Sequence, residues 1–235
     1  MRSKKYRKAW DSLKAKPTYD LSEAVKLLKE TSSGLTKFDA TAEIHLHLNI
    51  DVKQADQLVR STVVLPHGSG KKLKIAAVVP DDKVKAAKDA GATAAGLEDL
   101  IAEFETGKFD YDVIVAMPSV LKNMGKVAKV LGQKGMMPNP KSGTVNENIV
   151  KVIEELGRGR IEFRNDKEAN IHSIFGKISF KEAELENNLK AFLQAIRDSK
   201  PSGVKGNFIN SITITSTMGP GIHLNIGEVM GSLSK

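Results

Sequence analysis

Hydrophobic and polar positions divide this chain into stretches of different period. Leu21, Ala24, Val25 and Leu28 recur at helical spacing behind Asp20, a residue suited to an N-cap, and Gly34 closes that segment. From Thr41 to Ile50 the period is two. Ala42, Ile44, Leu46, Leu48 and Ile50 point one way, and Thr41, Glu43, His45, His47 and Asn49 point the other, which predicts a half-exposed strand with a polar outer face. A second short strand, 61–66, runs into His67-Gly68-Ser69-Gly70. Residues 73–79 then form a continuous apolar run, the mark of a buried parallel strand. A helix over 82–89, a short strand at 92–95, a helix over 97–105, a buried strand at 111–117, a helix from Ser119 to Gly132 and another over 146–156 follow. Strands alternating with helices imply βαβ units and a small parallel sheet covered on both faces.

After Gly157-Arg158-Gly159-Arg160 the alternating style returns. Residues 161–164 and 171–175 predict a hairpin across 165–170, and 181–200 a long amphipathic helix with Leu185, Leu189, Phe192 and Ile196 on one stripe. In 211–217, Ile212 and Ile214 face inward and Ser211, Thr213, Thr215 and Thr217 outward; Met218-Gly219-Pro220-Gly221 forms a turn from which 222–226 pairs back. The expected fold is therefore α+β together with α/β. A discontinuous α+β domain is drawn from 1–67 and 160–235, and an α/β domain, 68–159, is inserted into it. Glycines at both crossings, Gly68, Gly70, Gly157 and Gly159, serve either as hinges or as local turns.

Composition narrows the function classes. The 235 residues carry no cysteine, so disulfides, thiolate metal sites and thiol nucleophiles are excluded. No apolar run has the ~20 residues of a membrane span, and the basic N-terminus lacks the apolar core of a secretory signal. The net charge is +8, and residues 1–16 hold seven bases against one acid. Such an arm suits a polyanion, whether nucleic acid or an acidic membrane, or simply solubilises the chain. Membrane attachment through Tyr6 and Trp10 would be weak, because the arm's apolar face is thin.

Several catalytic signatures fail. His67-Gly68-Ser69-Gly70-Lys71-Lys72 lacks both the upstream glycine and the hydroxyl after the lysine that a phosphate-binding loop needs. His45 and His47 face the same way on a strand, but no third metal ligand is placed beside them. No catalytic constellation, cofactor motif or metal motif emerges, although a nucleotide-using enzyme built on the α/β domain stays open as a rival reading.

Two signals hold. No acidic residue lies between Asp112 and Glu147, a stretch containing Lys122, Lys126, Lys129, Lys134 and Lys141. The first three fall on one helical stripe, opposite Val120, Met124, Val127 and Leu131, and lead into a Gly/Pro-rich loop suited to a phosphate chain. The second signal is the hydroxyl row Ser211, Thr213, Thr215 and Thr217 beside a glycine-flanked turn. Short hydroxyls donate and accept hydrogen bonds and let a nucleic-acid backbone approach closely, as reading ribose 2′-hydroxyls requires; threonine is also simply a good strand former.

Leu131-Gly132, followed by Gly135-Met136-Met137-Pro138-Asn139-Pro140-Lys141-Ser142-Gly143-Thr144-Val145, resembles the signature of the large-subunit ribosomal protein L-one family, bacterial type. Lys37-Phe38-Asp39, Arg164-Asn165-Asp166-Lys167 and Thr215-Ser216-Thr217-Met218-Gly219-Pro220 are similar to further family stretches, in order along nearly the whole chain. Gln133-Lys134 departs from the Pro-Arg of many members but keeps the positive charge. The resemblance implies a split-β, RRM-like RNA-binding domain from both termini and an inserted Rossmann-like three-layer α/β domain. It implies a cytoplasmic, ribosome-bound, non-enzymatic protein, monomeric when free and without cofactor. Its implied partners are the large-subunit rRNA stalk, exit-site tRNA, whose deacylated form it helps release, and its own mRNA, which it represses. The RNA surface implied for this chain is Lys37, Phe38, Thr41, Glu43, Arg164, Lys167, His172, Ser211, Thr215, Thr217, Met218 and Gly219, with a secondary contact from the inserted domain's motif loop.

Overall fold

The computed structural model describes residues 3–232; Arg2 of the basic arm and the side chains of Lys14 and Lys141 lie outside the described residues. In chain order the elements are α1 (Lys4–Ser12), α2 (Leu21–Ser32), β1 (Thr41–Leu48), β2 (Arg60–Val64), β3 (Ile75–Val78), α3 (Val84–Asp89), β4 (Ala94–Gly96), α4 (Glu98–Thr106) and β5 (Val113–Ala116). They continue with α5 (Ala128–Gln133), α6 (Ile149–Gly157), β6 (Arg160–Arg164), β7 (Asn170–Lys177), α7 (Glu182–Asp198), β8 (Ile209–Ser216), β9 (Ile222–His223) and α8 (Ile226–Ser232). The chain forms two compact units, Met1–Gly70 with Ile161–Lys235, and Lys71–Arg160.

The terminal unit is built on an antiparallel sheet of order β7-β1-β8-β9. Its period-two pattern sends Ala42, Ile44, Leu46 and Leu48 of β1, with Ile212 and Ile214 of β8, into the core. There they meet the apolar stripes of α2 (Ala24, Val25, Leu28) and α7 (Leu185, Leu189, Phe192, Ile196), all fully buried. Glu182 and Glu184 stabilise the first turn of α7, the latter accepting the Lys181 N–H at 2.9 Å. One face of the sheet is thereby sealed by helices, and the opposite face carries the polar row.

Two expectations change. Residues 161–164 and 171–175 do not form a hairpin: β6 pairs with β2 in a separate two-stranded sheet, while β7 pairs with β1, and only Asn165 and Ile171 bridge. The cause is local. Asn165 is tied to Val59 through backbone and side chain (3.0 and 2.8 Å), and Asp166 Oδ1 accepts the N–H groups of Glu168 and Asn170, so the two strands part into different sheets. The helix from Ser119 to Gly132 is broken into 3-10 turns at Pro118–Val120 and Asn123–Lys126 before α5 begins. Gly125, which costs ~1 kcal/mol in a helix interior, sits at the break. Asp20 occupies the N-cap position of α2 without a side-chain cap bond. The basic arm is helical: α1 starts at Ser3, whose hydroxyl accepts the Tyr6 N–H, and buries none of its residues.

The inserted unit has a parallel sheet of order β4-β3-β5, with β3 fully buried. α3 packs with α6, and α4 with α5. Residues 144–146 extend the β5 edge through hydrogen bonds to Ala116.

Candidate nucleic-acid interface

Antiparallel register turns the outer face of the terminal sheet into rows. Thr41 stands beside Lys177 of β7, and Thr217 bonds to it just past the end of β8. The next row is Ile174, Glu43 and Thr215; the next is His172, His45 and Thr213, continued by His223 on β9; the last is Asn170, His47 and Ser211. Lys37 and Phe38 precede β1 and Met218-Gly219 follow β8, so these loop residues join the Thr41 end. Ser211 is four residues back along β8 from Thr215, ~13 Å at strand rise. Arg164 and Lys167 flank Asp166, whose carboxylate stands 3.5 Å from His172 Nε2.

The Thr41 end is closely wired. Thr217 Oγ1 accepts the Thr41 N–H at 3.2 Å and donates to Glu43 Oε1 at 3.0 Å. Lys177 Nζ donates to Thr41 Oγ1 at 2.8 Å. Asp39 holds the loop ahead of β1 by accepting both the N–H and the hydroxyl of Ser179. Thr215 Oγ1 lies 3.2 Å from the carbonyl oxygens of Ser216, Gly219 and Pro220, so its hydroxyl closes the turn. The hydroxyl row is thus not a set of free groups: Thr213, Thr215 and Thr217 are committed to partners, and together they fix the shape of the face.

The turn itself is strained. Met218 has φ +70°, the left-handed region that costs a non-glycine residue ~1 kcal/mol, yet its side chain is 73% exposed. Gly219 donates its N–H to Ser216 O at 2.7 Å, and a Cβ here would collide with the Ser216 hydroxyl, so only glycine fits. That hydroxyl is buried and bonded to Ser32 Oγ at 2.7 Å, which anchors the turn to α2. Phe38, 58% exposed, projects from the neighbouring loop instead of entering the core.

Lys177 and His45 join this face unforeseen, because strand pairing across more than a hundred residues makes them neighbours of Thr41 and His172; Asp166, just upstream of β7, reaches His172 through the turn between them. Burial, reinforced by His172, pushes the His45 imidazole below its ordinary range, with Glu43 opposing. Asp166 is held below the usual carboxylate range, chiefly by the Asn170 N–H. Among the described residues, no group of three or more His, Cys, Asp or Glu could hold a metal ion, and no helix is long and apolar enough to cross a membrane.

In the inserted unit, Lys122, Lys126 and Lys129 are exposed opposite buried Val120, Met124, Val127 and Leu131, although no continuous helix carries them. Lys134 is exposed too but tethered: Nζ donates to Gly107 O at 2.9 Å and lies 3.9 Å above the Phe109 ring. The Gly/Pro loop is held from within by Ser142 and Thr144, and by Arg160, which donates to Ser142 O and pairs with Glu155 at 2.8 Å. Gly68, Gly70 and Gly159 have positive φ, whereas Gly157 ends α6 without it.

Residues 27–220 match the model of the Ribosomal protein L1p/L10e family. The chain is similar to proteins described as large ribosomal subunit protein uL1. It is 50% identical to that of Mesoplasma florum, covering 88% of this chain and 91% of the relative, and 46% identical to that of Phytoplasma australiense, covering 95% and 97%. It is 43% identical to that of Thermus thermophilus, covering 94% and 96%. A match that takes in the whole insert and most of both segments of the terminal unit, together with relatives similar over nearly the full chain, places this chain in the ribosomal protein L1p/L10e family.

Proposed function

We propose that this protein is a structural constituent of the bacterial large ribosomal subunit, acting in the cytoplasm by binding rRNA and catalysing nothing. The relatives' shared description as large-subunit proteins supports that reading. Its finer part is that the outer face of the terminal sheet recognises the folded rRNA stalk. Lys37, Phe38, Thr41, Glu43, Thr215, Thr217, Met218 and Gly219 form the centre of that surface, with Arg164, Lys167, His172 and Ser211 around it.

One observation carries this reading: two large apolar side chains, Phe38 and Met218, are exposed within three residues of the bonded pair Thr41 and Thr217. Apolar surface of this kind stacks on bases and sugars, and the hydrogen bonds beneath fix its shape before RNA arrives. A fold of RNA that does not match leaves buried polar groups unpaired, which is where selectivity arises. Lys122, Lys126, Lys129 and α1 add a salt-dependent attraction without sequence information. The same face would bind a similar fold in the protein's own mRNA. Flexing at the glycine-bearing crossings would let the stalk move as exit-site tRNA leaves, with the free protein a monomer. Filter binding of large-subunit rRNA against unrelated RNA tests the RNA reading; equal affinity for both refutes it. One fixed interdomain distance by scattering, with and without RNA, refutes the hinge.

A further inference from the structure

Four of the chain's five histidines, His45, His47, His172 and His223, lie on the outer face of the terminal sheet. His172, His45, Thr213 and His223 form one row across all four strands, and His47 sits in the next. His45 and His172 touch through their Nδ1 atoms at 2.8 Å. In that contact one nitrogen must donate and the other accept, so the neutral pair shares a single hydrogen. A further proton enters at an Nε2, where Glu43 Oε2 stands 3.7 Å from His45 and Asp166 Oδ2 3.5 Å from His172. His47 Nδ1 donates to Asn170 Oδ1 at 2.9 Å, leaving Nε2 to take a proton. His223 Nδ1 meets the Thr213 hydroxyl at 2.9 Å.

The charged groups around the row are few. β1 contributes Glu43; the turn before β7 contributes Asp166 between Arg164 and Lys167; β7 contributes Lys177, bonded to Thr41. β8 presents only hydroxyls, Ser211, Thr213 and Thr215, and β9 presents His223 itself. Protonating the histidines therefore converts a nearly neutral strip into a cationic one.

We propose that this histidine row is a phosphodiester-contacting part of the RNA face whose charge is set by protonation, so that RNA is held more tightly as the pH falls and the imidazoles take up protons. The inference rests on the reading of this face as an RNA surface. His45 is the sensitive member. Partial burial and the His172 ring favour its neutral form in the free protein, and a phosphate laid on the row would reverse that preference. His47, His172 and His223 are exposed and can meet the phosphate directly.

The test is anisotropy titration of a labelled large-subunit rRNA fragment at constant salt, near pH 7.5 and near pH 5.5, with the wild type and with H45Q/H47Q/H223Q. The wild-type Kd should fall about tenfold between the two pH values. The triple variant, in which His172 alone of the four histidines remains, should lose most of that change. Wild-type affinity independent of pH overturns the inference, as does a triple variant that keeps the full change. Absence of RNA binding at both pH values overturns the RNA-face reading and this inference with it. Proton NMR of the wild type gives a measurement that needs no variant. With RNA bound, the His45 ring should titrate at higher pH than in the free protein; an unmoved His45 titration contradicts the proposal.

Discussion

The outer face of the terminal sheet and the lysine surface of the inserted unit differ in how their side chains are held. On the sheet, Thr41, Glu43, Thr215, Thr217 and Lys177 bond to one another or to a turn carbonyl, and Ser216 ties the turn to α2. On the inserted unit, Lys122, Lys126 and Lys129 stand exposed on short, broken helical turns. A fixed polar surface distinguishes one RNA fold from another, because its partners cannot rearrange to suit a mismatch. Long, mobile cations attract any phosphate chain and lose that attraction as salt rises. Selection and strength are therefore separable here, and substitutions should separate them.

The largest effect is expected from Gly219→Ala. The new Cβ meets the buried Ser216 hydroxyl, so the turn must shift, and selective rRNA affinity should fall by ~2–3 kcal/mol; filter binding measures it. Thr217→Val follows. It leaves the Thr41 N–H without its acceptor and Glu43 without its donor, and should weaken rRNA binding by ~1–2 kcal/mol with an unchanged salt slope. Met218→Gly sharpens the contrast between stability and function. Relief of the left-handed backbone should raise stability by ~1 kcal/mol, read by denaturant midpoint, while loss of the exposed side chain lowers rRNA affinity.

A smaller effect is a pH response that differs between the units. His45 is held below its ordinary range, so its contribution to stability is complete above that range and is lost as pH falls through it. Asp112 of the inserted unit is lowered by Lys71 and the Lys74 N–H, so its contribution persists until pH falls through the carboxylate range. Hydrogen exchange resolved by unit should show the terminal unit loosening first on acidification. The smallest effect is Lys126→Ala, which should weaken every RNA alike and reduce the salt slope by about one phosphate contact.

Much of this arrangement was legible in the sequence where one strand or helix carried the pattern. The alternation in β1 and β8 and the Leu185–Ile196 stripe state which side is buried without any partner being known. What was hidden depends on pairing between distant segments. Asn165 reads as an ordinary turn residue until Val59 is beside it, and the 161–175 hairpin fails for that reason. His45 and His172 look like two scattered surface histidines until β7 is laid against β1. Gly125 breaks the predicted helix because period counts apolar positions and ignores a residue with no side chain. Lys134 keeps the charge expected of the motif loop but spends it on Gly107 and Phe109, a contact no spacing could reveal.

The most direct test compares selectivity, the ratio of affinities for large-subunit rRNA and an unrelated structured RNA, in Thr217→Val and in Lys122→Ala/Lys126→Ala/Lys129→Ala across a salt series. If the polar sheet face selects and the lysines only attract, Thr217→Val loses selectivity and keeps the wild-type salt slope, while the lysine variant keeps selectivity and flattens the slope. Selectivity lost with the lysines and retained without the Thr217 hydroxyl would contradict that division of roles.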